Sequence, residues 1–227
     1  DFCLSRGLGD VYKRQITGIA GAFDIENHIP YLSILLPIGL SFHTFQAMSY
    51  TIEVYRGNFK AEKHFGIYSL YVMFYPQLVA GPIERPQNVL HQFHEKHTFS
   101  KQNFVDGFML IAYGMFKKVV ISDRLSVYVN SVYGNVDNAS SLSILIAMVF
   151  FSIQIYCDFS GYSDIALGTA KTMGYDLMIN FRRPYTAKSI SDFWSRWHIS
   201  LSTWFRDYLY IPLGGNRVSK AKWLFNI

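Results

Sequence analysis

Residues 29–52 contain no Asp, Glu, Lys or Arg. A helix of about 20 residues crosses the hydrocarbon core of a bilayer, so this run of 24 positions is long enough to span one. Pro37 and Gly39 interrupt it, which predicts a kinked span rather than a straight one. A second uncharged run occupies residues 65–83, and residues 142–157 form the clearest span of all. Residues 104–121 are apolar but carry Asp106, Lys117 and Lys118, a weaker candidate. A chain with several such runs folds as an all-α, polytopic membrane protein.

Composition agrees. Charged residues make up 16% of the chain and aromatic residues 17%, whereas a soluble domain carries roughly 25% charged residues. Aromatic rings suit the boundary between lipid and headgroups. Mean hydropathy is only +0.13, so polar groups must lie at membrane depth, facing protein or a water-filled cavity. Between residues 182 and 222 stand Arg182, Arg183, Lys188, Arg196, Arg206, Arg217, Lys220 and Lys222, against Asp192 and Asp207 alone. The positive-inside rule puts that region near the cytosolic face. Trp, Leu and Ile interrupt the basic stretch, which argues against nucleic acid as a partner. The two cysteines, Cys3 and Cys157, make no disulfide framework.

Residues 1–15, DFCLSRGLGDVYKRQ, lack the apolar core of a signal peptide and do not share the aromatic, membrane-like character of the rest of the chain. They read as a non-native leader of adaptor read-through, leaving residues 16–227 as the membrane domain. The segment at 76–86, PQLVAGPIERP, cannot be regular helix, because Pro82 and Pro86 remove donors and disfavour helix before them. Residues 87–103 are polar and extramembrane, and residues 130–141 are turn-like. Residues 189–210 are too charged to span simply and fit an interfacial or re-entrant helix.

That last stretch is the densest in chemistry. On a helix, Trp194, Trp197 and His198 would share one side, with Leu201 and Phe205 extending it. A histidine among indoles is partly desolvated, which lowers its pKa and keeps it neutral, as a general base requires. From spacing alone, a structural hydrogen-bonding histidine is the commoner outcome. Asp158 and Asp164, six apart around Gly161, are costly at membrane depth unless paired. Arg182, Arg183 or Arg206 could pair with them, either to fix helix packing or to line a polar tunnel. His91, His94 and His97 form H-x-x-H-x-x-H, but no cysteine or carboxylate pair completes a metal site, and a solvated polar face is expected. His43, inside the first run, is a functional candidate or a helix-to-helix hydrogen bonder. No G-x-S-x-G, P-loop, G-x-G-x-x-G or H-E-x-x-H is present, so enzyme chemistry would need an intramembrane site.

Four ordered motifs carry a resemblance: PQLVAGPIERP at 76–86, QIYCDFSGYSDIALG at 154–168, NFRRPY at 180–185, and DFWSRWHISLSTWFRDYLYIPLGGNR at 192–217. Together they resemble the membrane-bound O-acyltransferase family over about residues 30–227. The ending YIPLGGNR is similar to the branch containing the bacterial alginate O-acetylation membrane proteins. The resemblance implies a multi-pass protein of the bacterial plasma membrane with kinked, re-entrant and interfacial helices. It implies transfer of an acetyl group from a cytosolic thioester, acetyl-CoA or another acyl thioester, with no bound cofactor or metal. The acceptor would be a hydroxyl on an extracytoplasmic polysaccharide or a partner acetyltransferase. D-alanyl transfer to teichoic acid is the alternative within the family; a non-catalytic scaffold or a transporter is the alternative outside it.

His198 matches the family's motif histidine, and Trp194, Trp197, Arg206 and Asp207 match its neighbours. Gln77, Arg85, Asp158, Tyr162, Asp164, Asn180 and Arg183 fall within the matched motifs and would line the tunnel. The resemblance implies histidine as general base or as a group that positions the thioester, and the family carries a second histidine in a later helix, usually taken as the catalytic one, which would lie after residue 227. The resemblance therefore implies a partial membrane domain, inactive on its own.

Overall fold

The computed structural model describes residues 40–78 and 81–226. The proposed leader, Pro37, Gly39 and the first part of the 29–52 run lie outside the described residues. Among the described residues there is helix and no strand. α1 covers Leu40–Tyr55, α2 Phe65–Val72, α3 Lys101–Met115, α4 Asp123–Tyr133, α5 Ser141–Thr172, α6 Ile190–Arg196, α7 Ile199–Phe205 and α8 Lys220–Asn226. Two π-helical turns, Phe116–Ser122 and Arg206–Tyr210, join α3 to α4 and extend α7.

α1 buries a polar face. Gln46, Ser49 and Glu53 recur at helical spacing and are at most 6% exposed, while Met48 and Tyr55 face outward. Polar atoms thus lie within the fold and apolar ones outside, and the buried ones find partners, Gln46 Nε2 at the Tyr71 carbonyl and Ser49 Oγ at the Phe45 carbonyl. The helix stops where Gly57 takes a left-handed φ of +74°, a conformation glycine adopts at no steric cost.

The 65–83 run does not form one spanning helix. α2 stops at Val72 after eight residues, and a 3-10 turn is next, at Tyr75–Gln77. Pro76 explains the break, since it offers no N–H to continue the ladder and restricts the residue before it. Residues 81–85 are non-helical, as the prolines dictate. The stretch 104–121 also differs from its expected bounds, because helix runs without interruption from Lys101 to Tyr133. The turn expected from residue 130 begins only at Gly134, where the backbone N–H of Gly134 caps Asn130.

α5 is 32 residues long, or about 48 Å at 1.5 Å per residue, and is apolar and long enough to cross a bilayer. Its first half exposes Leu142, Leu145, Met148, Val149, Phe151 and Ile155, as a lipid-facing surface would. Its second half buries small residues: Ser160, Gly161, Ser163, Ala166, Gly168 and Ala170. There α3 crosses antiparallel at backbone contact. A Cβ on Gly168 would lie 2.5 Å from the Gly107 carbonyl oxygen, and one on Gly161 would lie 2.8 Å from that of Gly114. Each helix carries its two glycines seven residues apart, so both fall on one face, and small residues at such a face let membrane helices approach closely.

Candidate active site

Residues 174–183 leave α5 without regular structure and cross beneath the break between α6 and α7. Two backbone bonds tie the strands of this crossing: Arg182 N–H to Arg196 carbonyl and Ile199 N–H to Asn180 carbonyl, both 2.9 Å. Between them the chain must turn sharply, and His198 does so in a left-handed conformation, φ 45° and ψ 56°. Arg183 adopts the same conformation, φ 46°. Such residues cost of order 1 kcal/mol or more and recur at functional sites.

Asn180 is 1% exposed and is the hub of the site. Its Oδ1 accepts from Ser200 Oγ at 2.6 Å and from Ser200 N–H at 3.3 Å, and faces His198 Nδ1 at 3.4 Å. Its Nδ2 donates to Ser163 Oγ on α5 at 3.3 Å. The imidazole packs edge-on against Phe159, centroids 4.7 Å apart, and tilted against Phe42 at 6.4 Å. His198 lies outside the helix long enough to cross a membrane, in the break between two short helices. Burial pushes its pKa down to about 4. It is therefore neutral at pH 7, with one nitrogen protonated. An amide oxygen opposite Nδ1 favours the proton there and leaves Nε2 with a free lone pair. That is a proton acceptor held in one tautomer, which is what a general base needs.

This geometry differs from the sequence expectation in its local structure. His198 is not on the face of a continuous helix, and Trp194 and Trp197 do not flank it. Trp197 packs instead among Phe181, Phe193, Tyr156 and Tyr185, and Trp194 is 55% exposed against Phe193. The cause is the pair of backbone bonds to residues 180–182, which hold the chain open at positions 197–198. The desolvation expected from indoles comes from Phe159 and Phe42. Sequence reasoning missed these two, along with Ser163 and Ser200, although Phe159 and Ser163 lie inside the motif at 154–168 and Ser200 inside that at 192–217.

Other candidate residues form separate groups. Arg85 pairs with Asp207 at 2.7 Å, and Arg206 Nε with the same carboxylate at 2.7 Å. Burial pushes the Asp207 pKa up, but the two guanidiniums together hold it below its usual value. The Arg85 and Arg56 guanidiniums lie 5.2 and 5.4 Å from the centre of the Tyr208 ring. α1 touches both groups, through Phe42 at His198 and through Arg56, just past its end, at Tyr208. Those residues are 14 apart, about 21 Å along a helix axis. Gln77 is buried and donates to Gln46 Oε1 at 3.0 Å. The Arg183 residue is exposed.

Asp158 and Asp164 have different partners from those expected. Lys118 reaches Asp158 and Lys117 reaches Asp164, each at 2.6 Å. The arginines at 182, 183 and 206 do not pair with them. The π-helical turn at Phe116–Ser122 brings both lysines onto α5, on either side of the Gly114–Gly161 crossing. Tyr162 sits 5.5 Å from Lys118 Nζ. His94 bonds Glu62 and His97 bonds the Gln92 carbonyl, both at 2.8 Å. Among the described residues no group of three His, Cys, Asp or Glu could hold a metal ion. His43 Nε2 is buried and makes no hydrogen bond among the described residues.

A half-buried, neutral histidine facing a buried amide, beside a helix apolar and long enough to cross a bilayer, is a proton-accepting group in a membrane protein. Residues 60–226 match the membrane-bound O-acyltransferase (MBOAT) family, and the chain belongs to it. It is 45% identical over 187 residues to the "Probable alginate O-acetylase AlgI" of Pseudomonas aeruginosa, covering 82% of this chain and 35% of that protein. It is 35% identical to the "Peptidoglycan O-acetyltransferase" of Helicobacter pylori, covering 86% of this chain and 42% of that one. The "Teichoic acid D-alanyltransferase" of Bacillus subtilis is 29% identical, covering 88% and 51%. The chain thus spans between about a third and a half of these relatives' lengths.

Proposed function

We propose that the full-length protein is a multi-pass O-acyltransferase of the bacterial plasma membrane. It moves an acetyl group from a cytosolic thioester, acetyl-CoA or a related donor, to a hydroxyl of an extracytoplasmic polysaccharide or a partner protein. α1 and α5 lie in the membrane, α2 and the 3-10 turn after it dip into it, and residues 189–210 form the re-entrant wall. His198 Nε2 takes the proton of the acceptor hydroxyl as its oxygen attacks the thioester carbonyl. The C–S bond breaks, and the proton passes to the leaving thiolate. The remaining residues matched to the family, Gln77, Arg85, Asp158, Tyr162, Asp164, Asn180, Arg183, Trp194, Trp197, Arg206 and Asp207, belong to the walls of the path.

The observation that carries this reading is Asn180 Oδ1 facing Nδ1 of a neutral, half-buried His198. The test is transfer of label from acetyl-CoA to cell-envelope material by membranes holding the full-length protein, with and without His198→Ala. A positioned general base contributes about 10²- to 10⁴-fold, so a loss of that size at equal protein level supports the role. Equal transfer by both makes His198 structural. Transfer of D-alanine but not acetyl moves the substrate class to that of the teichoic acid relatives.

A further inference from the structure

Asn180 is carried by a stretch with no regular structure, and two side chains from the segment before α3 hold that stretch in place. Gln92 clamps Asp176: its Oε1 accepts from the Asp176 N–H at 2.9 Å, and its Nε2 donates to the Asp176 carbonyl at 3.0 Å. One amide side chain thus makes both bonds that a neighbouring strand would make. Two residues on, Glu84 Oε1 accepts from the Met178 N–H at 2.5 Å. Two residues further is Asn180, whose side chain turns to Ser163, Ser200 and His198.

Glu84 itself is anchored. It is wholly buried, and its backbone carbonyl accepts from Tyr71 Oη at 2.8 Å. The Tyr71 carbonyl accepts in turn from Gln46 Nε2 on α1. Gln92 is anchored too, donating to the Asn88 carbonyl at 2.8 Å and accepting from His97 at its own carbonyl. A carboxyl buried this deeply is costly unless it is hydrogen-bonded, and here its Oε1 serves an irregular segment leading into the active site. Burial pushes its pKa up to about 7; protonated or ionised, Oε1 can accept from Met178.

We propose that Glu84 and Gln92 are positioning residues for the transfer reaction, fixing Asn180 against the His198 imidazole through Met178 and Asp176. The proposal rests on His198 being the base. Residues 176, 178 and 180 then act as alternate positions of one extended track. The first two are gripped by Gln92 and Glu84, and the third grips the histidine. Loss of either grip lets Asn180 Oδ1 drift from Nδ1, and the proton no longer has a preferred nitrogen.

The experiment uses the full-length protein in membranes with Glu84→Ala, Glu84→Gln, Gln92→Ala and Asn180→Ala. Displacement of a reacting group by about 1 Å can cost roughly 100-fold. Glu84→Ala and Gln92→Ala are therefore expected to lower kcat roughly 10- to 100-fold with the donor KM unchanged. Glu84→Gln, which keeps the acceptor, restores kcat to within about threefold of wild type. On an Asn180→Ala background, Glu84→Ala adds less than about twofold, because residues acting through one another are not additive.

A second readout does not need transfer. The rate at which diethyl pyrocarbonate modifies His198, tracked by peptide mass spectrometry, is expected to rise severalfold in Glu84→Ala and Gln92→Ala and to stay at wild-type level in Glu84→Gln. Wild-type labelling in both alanine variants overturns the proposal, as does additive loss with Asn180→Ala or a Glu84→Gln as poor as Glu84→Ala. If wild type transfers no acyl group at all, the proposed function fails, while the labelling rates still decide whether Glu84 and Gln92 position the histidine.

Discussion

Asn180→Asp changes one atom type at the hub and should move the His198 titration by a large, calculable amount. The Oδ1 that faces Nδ1 at 3.4 Å remains, so the Ser200 bonds persist, and Ser163 can turn its own hydroxyl toward the new oxygen. What changes is charge. At an effective dielectric constant of about 20, opposite unit charges at that distance attract by about 5 kcal/mol, or roughly 3.5 pH units. His198 is only half-buried, and solvent screening cuts this to about 2 units. The pKa now held at about 4 by burial should therefore rise to near 6. Only the neutral imidazole reacts with diethyl pyrocarbonate, so the labelling rate of His198 against pH reports the titration directly. In wild type the rate should hold from pH 8 down to about 5. In the variant it should be halved near pH 6. An identical midpoint in the two proteins would refute the placement of Asn180 on the imidazole, and a wild-type midpoint at 6.5 would refute the burial.

Three further outcomes are expected. Gly168→Ala drives a methyl group to 2.5 Å from the Gly107 carbonyl oxygen and 2.9 Å from Ile111 N, backbone atoms that cannot step aside; overpacking of this kind costs about 1–3 kcal/mol and should lower Tm in detergent by several degrees, whereas Gly57→Ala, with open space around it, should show only its left-handed strain of roughly 1–2 kcal/mol. Lys117→Met strands Asp164, which is 21% exposed at its side chain, and should destabilise more than the double change Lys117→Met with Asp164→Leu, because an unpaired buried charge costs more than a lost pair; equal thermal shifts would show that the pair is solvated. For Glu84 the folded pKa of about 7 lies above the ordinary 4.5, so the folded state holds the proton longer. Its contribution is complete below pH 4.5 and is lost as pH rises to about 7, amounting to about 3 kcal/mol. In Glu84→Gln, Tm against pH should lack that decline.

The all-helical class and one helix apolar and long enough to cross a bilayer could be read from the sequence, because lipid imposes a length and a polarity. The apolar residues 142–157 had to be helix, and α5 contains them. The prolines at 82 and 86 forbade regular helix in that stretch, while Pro76, which ends α2, falls inside a run that reads as one span. The site was less legible. Residues 189–210 show helical spacing throughout, and nothing local announces the break at His198; it is imposed from outside, by backbone bonds to residues 180 and 182. The lysine partners of Asp158 and Asp164 were hidden for a related reason. On a regular helix, adjacent Lys117 and Lys118 point about 100° apart, and the wide turn that lets both serve α5 has no reliable sequence mark. The glycine crossing did leave a trace: Gly107 and Gly114, and again Gly161 and Gly168, repeat at seven residues, a period that would have nominated the two faces.

The wide turn at Phe116–Ser122 also governs how this protein can change over generations. A turn with one surplus residue tolerates new letters but not a new count. Delete any one position between Phe116 and Ser122, and the helix can close to ordinary pitch with Asp123 onward still in phase, but the wide turn itself is gone. Val129 and Val132 would stay buried and Tyr128 would stay on Phe150, but Lys117 and Lys118 would point about 100° apart and could no longer both reach α5. Here the chain can take a change of letter, but a change of count unseats the two lysines from α5.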